Sequence, residues 1–200
     1  NTALGQVNKH ATKETKQLYA KLKELSKVGV LVGHQDGLSY GLNADSTRWI
    51  AEPNRSDMKT IAGNHAAVIG WDLGRLELDD PNNIDKVNFE FMKKTAIKHH
   101  LEGGFNTFSW HPNNPLDLKK TSWDNEYHTI SRILKNKDTL AMYKRTLDKL
   151  ADFFLSLKTS DGKLVPVMFR PYHEHTGNWF WWGEKHTSKA DYIKFWRMTY

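Results

Sequence analysis

Four short apolar runs, each closing on polar or aromatic residues, constrain this chain more than any other feature. They are VGVLVGHQD at 28–36, AAVIGWDLG at 66–74, GGFNTFSWH at 103–111 and LVPVMFRPYHE at 164–174. Runs apolar along their whole length read as strands buried on both faces, which is the habit of parallel sheets. Helical patterns separate them. Residues 12–27 put Leu18, Tyr19, Leu22 and Leu25 on one stripe. Residues 83–100 carry Ile84, Val87 and Phe91 on one face. Residues 138–158 turn Leu140, Tyr143, Leu147, Leu150 and Phe154 inward, with Asp138 as the expected N-cap. A last helix opens at Ser188, with Asp191 three residues on as in a capping box. Alternating β and α segments specify an α/β fold.

Two α/β architectures compete. A doubly wound sheet usually announces a glycine-rich phosphate turn, and the chain has neither a GxGxxG sequence nor a P-loop. A (β/α)8 TIM barrel instead gathers every strand end around one mouth, where active sites lie. The four strand ends here carry His34-Gln35-Asp36, Trp71-Asp72, Trp110-His111 and His173-Glu174. The barrel is therefore the expected fold. A complete barrel takes about 250 residues and eight strands. Residues 1–200, ending in the helical pattern YIKFWRMTY, are read as the N-terminal part of one such domain, truncated after four to five β/α units.

Composition removes several function classes. The chain has no cysteine, which excludes disulfides and thiol chemistry and fits an exported protein. The net charge is +6, but the cations are dispersed along helical faces, as in KETKQLYAKLKELSK, and no nucleic-acid motif accompanies them. A solvated basic surface explains them. No apolar run reaches the roughly 18 residues of a membrane span, and NTALGQVNKH has no apolar signal core. His173, Glu174, His175 and His186 lie close in sequence but lack the HExxH helical frame of zinc proteases, so no metal and no cofactor is expected.

The stretch FRPYHEHTGNWFWWG, 169–183, crowds Trp179, Phe180, Trp181 and Trp182 beside Glu174. Aromatic faces stack on the C–H faces of sugars, while carboxylate, His, Asn and Gln groups bond the hydroxyl rim. A carboxylic acid beside apolar rings tends to keep its proton, as glycoside hydrolysis requires of its general acid. The four rings cannot all face one ligand, and Trp179 is the one expected to. His34, Gln35 and Asp72 stay open between site roles and ordinary strand-end hydrogen bonding.

At this density the residues resemble a known family. RPYHEHTGNWFWWG is similar to the acid/base motif of glycoside hydrolase family 26, LVGHQDG to its first strand, and GGFNTFSWHPNNP to its third-strand motif. The resemblance covers about 28–200. It implies a (β/α)8 barrel and a retaining mechanism, with the acid/base at the end of the fourth strand and the nucleophile at the end of the seventh. The family consists mainly of endo-β-1,4-mannanases, with some xylanases and mixed-linkage β-glucanases. By that resemblance Glu174 is the general acid/base, and His173 contacts the sugar beside the scissile bond. Trp179 lines the cleavage point, and Trp110 and His111 form the sugar-binding floor. Arg170 becomes a buried organiser of the catalytic carboxylates, and the nucleophilic glutamate falls beyond residue 200. His175 departs from the family pattern, where Met or Asn is common. The expected partner is a β-mannan polysaccharide or manno-oligosaccharide, met outside the cell or in the periplasm by a monomer. A catalytically inactive carbohydrate-binding protein on the same scaffold is the alternative from another class.

Overall fold

The computed structural model describes residues 8–200. Its frame is a parallel sheet of strands β1 (Gly33–Gln35), β4 (Val68–Asp72), β5 (Phe105–Ser109) and β6 (Val167–Arg170), in the order β1-β4-β5-β6. A separate antiparallel hairpin, β2 (Tyr40–Leu42) and β3 (Arg48–Ile50), leaves the C-terminal end of β1. The helices are α1 (Lys13–Leu25), α2 (Asp57–Ala62), α3 (Phe89–Leu101), α4 (Thr129–Lys135), α5 (Lys137–Ser156) and α6 (Lys189–Thr199). Strand order follows chain order and each crossover carries helix, so the sheet is a run of consecutive β/α units.

Polar caps set most helix starts. Thr12, Ser56, Asn88, Asn136 and Ser188 each accept a backbone N–H of the first turn of α1, α2, α3, α5 and α6. Ser188 takes the expected place. Asp138 does not: Asn136 accepts from Asp138 N and Thr139 N, and the Asp138 carboxylate sits inside the first turn, near the positive end of the helix. The helix expected from 83 begins only at Phe89. The Asn83 side chain accepts from Asp85 N and Val87 N and donates to Asp72 O, so it holds 83–88 as a folded turn. Val87 is buried there, but Ile84 is exposed. Helix α4 had no strong periodic signal.

The sheet's outer face holds the core. Trp71 stacks on Phe108, and Phe108 meets Phe153 and Phe154 of α5 edge-on at 5.9 and 5.5 Å. Trp71 Nε1 donates to Asn106 Oδ1, and Asn106 Nδ2 donates to Ala96 O of α3, so the polar atoms of this layer are satisfied.

The first apolar run departs from expectation. Only Gly33–Gln35 is strand, and Val28, Val30 and Val32 are exposed. Pairing of β1 with β4 begins only at Gly33, so the residues before it lie outside the ladder.

Phe108→Ala in the full-length protein is expected to cost about 3–5 kcal/mol of stability, because it empties the junction between β4, β5 and α5. Denaturant unfolding would measure this; a cost under about 1 kcal/mol would contradict the packing described.

Candidate active site

Register builds the site. In parallel pairing Asp72 lies opposite Ser109, and Ser109 opposite Arg170. Residues at one level of the ladder share a face, and successive residues alternate. Trp71, Phe108 and Trp110 therefore turn to the helices, while Asp72, Ser109 and His111 turn to the concave side.

This alternation separates two neighbours that the sequence reading had paired. His111 reaches the mouth and keeps 23% of its side chain exposed. Trp110 does not reach it. Its ring is fully buried, it stacks on Tyr143 of α5, and its Nε1 donates to Glu77 Oε2 at 3.0 Å. Trp110 is a core residue and offers no face to a ligand. Arg170 faces the concave side as the strand parity requires; it is exposed, and its guanidinium makes no hydrogen bond or ion pair among the described residues. The second carboxylate it is expected to organise falls beyond residue 200.

The Asp72 carboxylate anchors the mouth. Its Oδ2 accepts from Ser109 Oγ at 2.8 Å and His111 Nδ1 at 2.6 Å, and its Oδ1 accepts from Gly74 N at 2.8 Å. Burial alone would favour the neutral acid, but the His111 contact and the other donors outweigh it and lower the Asp72 pKa. The His111 pKa moves the other way. Burial depresses it, and the hydrogen bond and charge of Asp72, aided by Glu174 and Asp36, more than reverse this. His111 Nε2 then meets His173 Nε2 at 3.1 Å, with the rings edge to face. His173 is buried against Phe180 and Trp182, and its pKa falls to about 4, through burial first and then the charge of His111.

Glu174 follows β6 on an exposed turn. Three non-glycine residues of this turn, Tyr172, Glu174 and Asn178, are left-handed, with φ of 50°, 55° and 65°. Such conformations cost roughly 1–3 kcal/mol each and persist only where surrounding contacts impose them. Here the Tyr172 hydroxyl bonds those of Tyr143 and Thr199, Trp182 Nε1 donates to His173 O at 2.8 Å, and Tyr192 OH donates to Tyr172 O. Of the four clustered rings, Phe180, Trp181 and Trp182 are buried, and only Trp179 is exposed. Its Nε1 donates to Glu174 Oε2 at 3.1 Å. Trp179 lies across Gly177, where an added Cβ would clash with the outer edge of the ring.

Of two further groups at the mouth, Trp123 escaped the sequence reading and Asp36 stood out only as part of a polar strand end. Trp123 is 62% exposed and packs on Phe180, and the neighbouring Asn125 donates to the carbonyls of Asn178 and Trp179. Its signal was a lone tryptophan in a polar loop. Asp36 is buried at the end of β1, and burial, with the charges of Asp72 and Asp85, pushes its pKa up to about 7 against the hydrogen bond from Gln35. Gln35 extends over Gly70, and His34 is half-buried with no partner for Nδ1 among the described residues. Among those residues no group of three or more His, Cys, Asp or Glu is placed to hold a metal.

The sequence pattern of glycosyl hydrolase family 26 matches residues 7–200. The chain belongs to that family. It superposes on a GH26 β-mannanase from Bacteroides ovatus with a TM-score of 0.88 and 38% identity, over 94% of this chain and 54% of that one. A mannan endo-1,4-β-mannosidase from Bacillus subtilis is 30% identical over 186 residues, covering 88% of this chain and 48% of the relative. One from Bifidobacterium adolescentis is 29% identical over 192 residues and is covered to 18% of its length. The chain thus spans about half the length of the Bacteroides and Bacillus proteins. As family members of known structure are (β/α)8 barrels, the parallel sheet here is about the first half of that fold.

Gly177→Ala is expected to push Trp179 off Glu174 with little loss of stability, since the clash is with an exposed ring. Tryptophan fluorescence should shift in the full-length variant; an unchanged spectrum would contradict the contact. Asp36 gives a pH prediction. Its folded pKa of about 7 lies above the unfolded value of 3.8, so its contribution to stability is present below pH 3.8 and is lost as pH rises to 7. Asp36→Asn should be more stable than the wild type at pH 8 by about 1–3 kcal/mol, and the gap should close toward pH 4. Denaturant titrations across that range would show it.

Proposed function

We propose that the full-length protein is a retaining endo-β-1,4-mannanase that cleaves mannan, glucomannan or galactomannan. The observation that carries this reading is Glu174 on a tense turn at the strand mouth, bonded by the one exposed ring of its cluster, Trp179. The mannanase names of the Bacteroides and Bacillus relatives support the substrate.

In this reading Glu174 protonates the leaving glycosidic oxygen and then takes a proton from the attacking water. A second carboxylate about 5–5.5 Å away forms the glycosyl–enzyme bond. That nucleophile comes from a segment beyond residue 200. Trp179 serves twice: its face supports a sugar ring, and its N–H restrains the carboxylate. His111 and His173 border the sugar beside the scissile bond. Arg170, free on the concave side, is available to the second carboxylate or to substrate. A polysaccharide is too large to enter a cell, so the enzyme works as an exported monomer in the periplasm, on the cell surface or outside. No helix among the described residues is long and apolar enough to cross a membrane.

Hydrolysis of locust bean gum, konjac glucomannan, xylan and barley β-glucan by the full-length protein and its Glu174→Gln variant tests this. Mannan cleavage reduced by a factor on the order of 10² or more in the variant is expected. Cleavage of xylan or β-glucan alone would overturn the substrate. Sugar binding without hydrolysis would overturn the enzyme and leave a carbohydrate-binding protein.

A further inference from the structure

Three carboxylates are buried among the described residues, and Asp72, at 2% exposure, is the deepest. It belongs neither to the turn that carries Glu174 nor to the rings around it. It is instead the start of a chain of contacts that ends next to Glu174: Asp72 Oδ2 to His111 Nδ1 at 2.6 Å, then His111 Nε2 to His173 Nε2 at 3.1 Å.

The chemistry of these atoms limits how the protons can be arranged. An ionised carboxylate only accepts, so the proton on this side of His111 sits on Nδ1. The second contact joins two nitrogens of the same kind, and one must donate to the other. With His111 neutral, its Nε2 is a lone pair, His173 must donate from Nε2, and His173 Nδ1 is left an acceptor. With His111 as imidazolium, its Nε2–H donates, His173 accepts at Nε2, and the single proton of His173 moves to Nδ1. The charge on His111 therefore decides whether His173 Nδ1 is a donor or an acceptor. That atom is buried and has no partner among the described residues, so nothing else there fixes its state.

We propose that Asp72 is a positioning residue that holds His111 as an imidazolium and thereby makes His173, the residue before Glu174, an Nδ1–H donor. The groups facing His111 favour this arrangement. Asp72 reaches it from β4, Asp36 follows β1, and Glu174 and His173 follow β6. The rings of Phe180 and Trp182 pack against His111, and part of its side chain stays exposed at the mouth. Three of these groups are carboxyls, and the only basic neighbour among them is His173. His173 stays neutral, since burial, His111 and Arg170 together depress its pKa to about 4. The two imidazoles thus have opposite preferences, as a one-way hydrogen bond between them requires.

The expected consequence extends beyond orientation. With Asp72 in place, the positive charge of His111 lies on the Glu174 side of the mouth and its loss tracks pH. The alkaline fall of activity should then follow the His111 titration.

The test reads the imidazoles directly. Proton–nitrogen correlation spectra of the full-length protein, labelled at histidine, report charge and tautomer for each ring. In the wild type His111 should still be mostly protonated above its ordinary pKa of 6.5, and His173 should be the neutral Nδ1–H tautomer. In Asp72→Asn, His111 should titrate at lower pH, and His173 should switch to Nε2–H. A neutral His111 at pH 6 in the wild type, or an Nε2–H His173, overturns the proposal without any variant, so a misfolded mutant cannot protect it. The activity arm rests on the mannanase reading. There Asp72→Asn should lower kcat on mannan by roughly 10- to 100-fold, with a smaller effect on KM, and move the alkaline limb to lower pH. A limb that stays in place while His111 shifts would overturn the link to Glu174. Spectra as expected in a protein that cleaves no glycan would overturn the mannanase reading and leave the relay standing.

Discussion

The hydrogen-bonded ladder of β1, β4, β5 and β6 dictates which side chains can meet, and the rest of the molecule follows from it. Parallel register aligns Trp71 with Phe108 and Asp72 with Ser109, and strand pleat sends the two levels to opposite faces. The first pair joins the aromatic layer under α5, and the second opens on the concave side. A slip of one residue would exchange them, burying Asp72 among rings and exposing Trp71. The large apolar layer makes that slip prohibitively costly, so core packing and site geometry are two results of one constraint.

The aromatic surface beside Glu174 serves chiefly to hold a turn. Trp181 donates through Nε1 to Pro112 O and through its backbone N–H to Ser122 O, which ties the turn to the loop after β5. Trp182 bonds His173 O, and the Tyr172 hydroxyl bonds two elements at once. These buried contacts offset left-handed backbone at Tyr172, Glu174 and Asn178. One ring, Trp179, is left outside. The tension in the turn and the density of rings are thus cause and remedy, and the result is a carboxylate presented at a fixed position.

Buried charge is handled differently at each acidic position. Asp72 receives three donors and is held ionised. Glu77 receives Trp110 Nε1 and Asn113 N, yet burial still raises its pKa. Asp36, with Gln35 as its close donor and two carboxylates nearby, is pushed up to about 7. In each case the donors are set against the loss of water on burial. The balance gives the mouth one firmly negative group and one that titrates near neutrality.

Much of this was legible in the chain alone. The β/α alternation needs only local periodicity, and the Ser188 cap needs only residues a turn away. Glu174 and Trp179 stood out because their motif is contiguous. Four matters needed the tertiary structure. Trp110 and His111 are adjacent and both chemically suited to a sugar, and only the parity of β5 against its helices separates them. Arg170 stands level with Asp72 and Ser109 only because the register of three strands puts it there. Val28, Val30 and Val32 read as part of a buried strand, but the ladder with β4 starts only at Gly33. The Asp72–His111–His173 chain joins residues 39 and 62 positions apart. No local pattern encodes such contacts, because they are set by sheet register, and register is fixed only when distant segments compete to bury their apolar faces.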